Sequence, residues 1–146
     1  MKKGKGNGGI EALARRYEAM ANGAPAFLMG FADKMARRIV AKTKERTTEV
    51  KAVDTGNLRN NWRSANLRHE GDKILVDIIN PVEYAMYVEY GRKRYPWKSK
   101  VPPNTVDWVE GRFMATWAIA RVGEELPDLY AKAFKAWLKK IDKGDG

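Results

Sequence analysis

The chain has no cysteine and a single histidine, His69. The first absence excludes disulfides, thiolate nucleophiles and Cys-ligated zinc, and the second leaves little room for His-rich metal sites or a hydrolase triad. No apolar run approaches the roughly 18 residues of a membrane span. The basic start leads into Gly and Asn instead of an apolar stretch, so no secretory signal is expected. Only six prolines punctuate the 146 residues, and three of them fall between 96 and 103. Phosphate-binding GxxxxGK, a GxGxxG after a strand, and HExxH are all missing.

Much else is present. Apolar residues make up 44% and aromatic residues 10% of the chain, including five Trp, six Tyr and four Phe, enough for one folded domain. The formal charge is +10, with +6 in residues 1–50, +4 in 51–100 and none in 101–146. Such an excess favours a polyanionic neighbour, nucleic acid or an acidic protein surface; the same charge is also compatible with a solvated basic face.

Periodicity divides the chain. Residues 1–9, rich in Gly and Lys, read as a flexible basic tail ahead of a single domain at 10–146. Ile10, Leu13, Tyr17 and Met20 recur at helical spacing up to Asn22-Gly23, and Pro25 suits the start of a second helix carrying Leu28, Phe31, Met35 and Ile39 to about residue 48. Asp54 to Asn57 is turn chemistry, Leu58 to Arg68 is expected as a first strand, and Glu70 to Lys73 as a hairpin turn. Ile74 to Ile79 gives a second strand ending at Asn80-Pro81. Pro81 to Gly91 predicts a short helix with Val82, Met86 and Tyr90 along one side. An exposed basic loop is expected at about 92–104. Phe113, Trp117 and Ala120 then mark a helix stopped by Gly123, and Pro127 opens a last one. The sum is an α+β fold: a long N-terminal helix and C-terminal helices packed on a small antiparallel sheet.

Candidate chemistry is sparse. Asp54-Thr55-Gly56 matches the aspartic-protease triplet, whose paired carboxylates share one proton and which a retroviral-type enzyme assembles by dimerising. Its flank, Asn57-Leu58-Arg59-Asn60, lacks the apolar residues that normally surround that triplet, so the turn reading is preferred. Arg92, Lys93, Arg94, Lys98 and Lys100, interleaved with Tyr95 and Trp97, form the best binding candidate. The cations can neutralise phosphates and the rings can stack, without reading sequence. A non-specific DNA-binding module is therefore one reading, and contact with an acidic protein partner another.

Two segments carry a further signal. Val53-Asp54-Thr55-Gly56-Asn57-Leu58-Arg59, followed after a hairpin by Asn80-Pro81-Val82-Glu83-Tyr84-Ala85-Met86-Tyr87-Val88-Glu89-Tyr90-Gly91, resembles the tail-component, or tail-completion (neck), family of long-tailed bacteriophages. Gly111-Arg112-Phe113-Met114 adds to the similarity, which extends over roughly residues 25–140. The resemblance implies a structural virion protein without catalysis or cofactor, forming a homo-oligomeric, hexameric ring around the DNA path. Its partners would be tail tube or tail terminator protein and head-completion or adaptor proteins, with no membrane. It further implies that Thr55, Gly56, Asn57, Leu58, Tyr84, Tyr87, Glu89 and Tyr90 organise the sheet and the contacts between subunits. From the residues themselves, these tyrosines fit either an interface or the subunit's own core. Tail channels of the family are often acidic inside whereas this chain is basic, so its loop would face either DNA in the lumen or an acidic neighbouring ring.

Overall fold

The computed structural model describes residues 5–52, 55–94 and 108–144. The architecture is α+β, as the sequence predicts, and two long helices dominate it. Helix α1 (Lys5–Glu49) runs 45 residues, about 67 Å at 1.5 Å per residue, and α4 (Met114–Asp142) runs 29, about 43 Å. They lie antiparallel. Arg16 pairs with Asp142 at 2.9 Å, Arg38 with Glu125 at 2.6 Å, and the Arg46 guanidinium sits 4.9 Å from the Trp117 ring centre.

Each of these helices replaces two expected ones. Pro25 lies inside α1 and Pro127 inside α4, where each removes one backbone hydrogen bond. Aromatic packing offsets that loss at Pro25. Phe27 stacks on Trp137 at 4.7 Å, and Phe31 meets Tyr130 edge-on at 5.3 Å. Gly23 is therefore not a helix stop. A Cβ there would lie 3.3 Å from the Trp137 ring, so its lack of a side chain seats the indole. The helix also extends back to Lys5, into the stretch read as a tail.

Helix α2 (Thr55–Asn60) corrects the expected turn and strand. Leu58 and Trp62 are four apart, which is helical spacing, and both point into the core. Strand β1 (Arg63–Glu70) starts five residues later than predicted and pairs antiparallel with β2 (Lys73–Ile79) through the Gly71-Asp72 turn. A bulge interrupts the register between Ala65 and Arg68, with Asn66 at φ 55°. The Asn66 amide and the Arg68 guanidinium both donate to Asp77, at 2.9 and 3.2 Å, and hold its carboxyl below the usual carboxylate range.

Helix α3 (Ala85–Tyr90) follows, then a ribbon of β3 (Gly91–Lys93) and β4 (Trp108–Glu110). Arg92 and Lys93, expected in a loop, are thus strand residues. The ribbon's closure depends on two glycines. Gly91 sits at φ +90°, and a Cβ on it would lie 2.5 Å from the Val109 carbonyl oxygen; one on Gly111 would meet the Glu89 carbonyl.

The core is small. Leu58, Trp62 and Met114 form it with Ala52 and Ala85, and Val40, Ile78, Val82 and Val88 pack around them. The Trp62 indole donates to Thr47 Oγ1 at 3.0 Å, while the Thr47 and Thr43 hydroxyls each donate to the carbonyl four residues back in α1. The hydroxyls of Thr43 and Thr47 and the Trp62 indole are thereby satisfied against α1.

Candidate functional site

The two segments that carry the family resemblance are neighbours in space. Leu58 and Ala85 share the core, the Asn80 amide donates to the Leu58 carbonyl at 2.7 Å, and Asn57 Nδ2 donates to the Tyr84 hydroxyl at 3.4 Å. Asn80 Oδ1 accepts from the Val82 amide at 3.0 Å, an Asx turn that leads the chain through Pro81 toward α3.

Helix α3 has its polarity reversed. Ala85 and Glu89, four apart, are buried at 5% and 4% exposure, whereas Met86, Tyr87 and Tyr90 stand 68%, 58% and 56% exposed. A six-residue helix ordinarily turns its large apolar side chains inward. Here the carboxylate goes in beside Ala85 and Val88, and the three largest apolar side chains come out. The expected alignment of Val82, Met86 and Tyr90 along one side is accordingly corrected: Val82 packs on the core, and the other two face away from it.

The buried carboxylate explains the inversion. Helix α4 opens at Phe113, a left-handed residue (φ 50°) whose side chain cannot cap the first turn. Glu89 supplies the cap from α3. Its carboxylate accepts from the amides of Ala115 (3.1 Å) and Thr116 (2.8 Å) and from the Thr116 hydroxyl (2.8 Å). The amides of Arg112 and Phe113 donate to the carbonyls of Val88 and Glu89, at 2.7 and 3.0 Å. Helix α3 is therefore clamped to the start of α4 and presents Met86, Tyr87 and Tyr90 as a fixed ridge.

Clefts flank that ridge. One, of about 420 Å³, is lined by Tyr84, Tyr87 and Val109, with Glu83, Glu110, Arg92 and Arg112 supplying charge of both signs. The other, of about 460 Å³, lies between α3 and the end of β2, against Ile78, Pro81, Met86 and Tyr90. Phe113 extends the apolar surface, its ring meeting Tyr90 edge-on at 6.4 Å.

The predicted site residues thus differ in burial and position. Tyr87 and Tyr90 are exposed on the ridge, Gly56 and Asn57 are exposed on α2, and the half-buried Tyr84 is reached by Asn57. Leu58 and Glu89 are interior supports, one in the core and one in the cap. Thr55 opens α2. Arg92 is half-buried on the ribbon, with Lys93 and Arg94 exposed at its end. Asp54, Tyr95, Trp97, Lys98 and Lys100 lie outside the described residues. Sequence reading missed Met86 as a surface residue and missed Phe113, whose backbone conformation no local pattern announces.

Among the described residues, no group of three or more His, Cys, Asp or Glu could hold a metal ion, and no helix is long and apolar enough to cross a membrane. The arrangement offers shape and apolar contact.

A family model described as "Bacteriophage HK97-gp10, putative tail-component" matches residues 11–91. The chain belongs to this family, and so is a structural tail component of a bacteriophage, a part of the virion that works in contact with other proteins of the particle. The match takes in α1, α2, the hairpin and α3 and ends at Gly91, so the Gly111–Met114 similarity and α4 lie beyond it. No curated protein and no solved structure matches the chain.

Proposed function

We propose that the protein completes the tail end of the particle by forming a closed homo-oligomeric ring, with the ridge on α3 as its principal subunit contact. The reversed polarity of α3 carries this reading. Three large apolar side chains on two turns of helix, rigidly held by a buried cap, make the kind of surface that aromatic-rich interfaces use. Charge of both signs in the adjoining cleft would fix register at the rim, where ion pairs select partners more than they add affinity. A contact between different patches on successive copies closes into a ring when its rotation permits, and a hexamer is the stoichiometry the family resemblance implies.

In this reading the ring stacks between tail tube or terminator protein and the head-completion or adaptor proteins. Arg92 and Lys93 of the ribbon would face a neighbour or the DNA path. The test is complementation of phage lacking this protein, scored by electron microscopy. Wild type should restore joined particles, and M86S/Y87S/Y90S should leave heads and tails separate while its circular dichroism stays native. Joined particles from that variant would remove the ridge from the account.

A further inference from the structure

The C-terminal half of α4 and its C-cap residue, Lys143, carry a second surface, independent of the ridge. Lys132, Lys135, Lys139 and Lys143 recur at steps of three, four and four, and Lys140 lies beside them; all five are exposed. Among the described residues none of the five has an ion-pair partner, and the only acidic side chain between 129 and 144, Asp142, is held by Arg16 at 2.9 Å. The row spans about 17 Å, the axial rise of roughly five base pairs.

We infer that this lysine row is a contact surface for duplex DNA, taken through its phosphates without sequence preference. Two alternatives fit the observations less well. An acidic protein partner would need an apolar or aromatic anchor, because lysine is depleted at protein interfaces. Between its lysines the only exposed apolar residue is Ala136, too small to anchor anything, and Tyr130 just before the row is engaged by Phe31 of α1 at 5.3 Å. An anionic membrane would need a free apolar face beside the cations. That face of α4 is occupied by α1, with Trp137 stacked on Phe27 at 4.7 Å and Phe134 packed beside it at 6.2 Å. What remains is a cationic ridge along one face of a helix, which suits a uniformly charged rod. The inference does not rest on ring formation, since the row is complete within one subunit.

The experiment measures binding of a 30-base-pair duplex of arbitrary sequence, by fluorescence anisotropy, between 50 and 200 mM salt. Four phosphate contacts predict that wild-type affinity falls on the order of 100-fold over that range. The variant K132Q/K135Q/K139Q/K143Q should bind more weakly at 50 mM and lose most of that salt dependence, with a log–log slope shallower by about 3. Gel filtration should show its oligomeric state unchanged, which separates this surface from the ridge. Unaltered affinity and slope in the variant would overturn the inference. So would a loss that follows R92A/K93A/R94A and not the α4 substitutions, or equally tight binding of the row to phosphatidylserine vesicles.

Discussion

Replacing Glu89 probes the link on which the exposed ridge depends. Its carboxylate is 4% exposed and satisfies two backbone amides and one hydroxyl at the start of α4. Hydrogen bonds to a charged acceptor contribute about 1.5–3 kcal/mol each, but here they share one carboxylate and overlap with an N-cap worth about 0.5–2 kcal/mol. Loss of the whole group in Glu89→Ala should therefore cost about 3 kcal/mol, because two helix-end amides lose their partner in a half-buried site. Glu89→Gln keeps the shape and one acceptor oxygen and should cost about 1–1.5 kcal/mol. Thr116→Val, which removes only the hydroxyl contact, should cost about 1 kcal/mol. Urea unfolding followed by circular dichroism measures all three, at one protein concentration because association adds to apparent stability. In a thermal scan the Ala variant should melt about 6–12 °C lower. An Ala variant within 0.5 kcal/mol of wild type would show that α4 needs no cap from α3, and the physical reason for the reversed helix would be lost.

The ribbon and the ion pairs give further expectations. Gly111→Ala or Gly91→Ala should each destabilise by more than about 2 kcal/mol, since the added Cβ meets backbone atoms that cannot yield; unfolding curves matching wild type would refute the close approach. Acid should destabilise through Asp77 and Glu125. The first is held below its ordinary value by Asn66 and then Arg68, the second by Arg38 with Lys42. A carboxylate with a depressed folded pKa contributes stability above its unfolded pKa and loses it as pH falls through the folded value. Stability should thus be level near neutrality and decline below about pH 5, with a gentler decline in D77N/E125Q; an unchanged acid limb would contradict the assignment.

Much of this fold was legible where the determinants are local. The helical spacing of Leu28, Phe31, Met35 and Ile39, the Gly71-Asp72 turn and the alternation in β2 were each readable within a dozen residues. Reading failed where a distant partner decides. Gly23 and Pro25 carry stop-and-start signals, yet Trp137 and Phe134 hold α1 continuous from more than a hundred residues away. Strand β4 has three residues and exists only because β3 pairs with it. The tyrosines of α3 marked an interface or a core equally well in sequence, because their direction depends on Glu89 reaching Thr116, 27 positions on.

The mass of the assembled protein in solution bears most closely on the proposed ring. Sedimentation velocity across low to high micromolar concentrations should give a closed species at a fixed multiple of 16.6 kDa, and M86S/Y87S/Y90S should sediment as the 16.6 kDa subunit. Wild type that remains a single subunit at every concentration, alone and mixed with tail tube protein, would contradict the account.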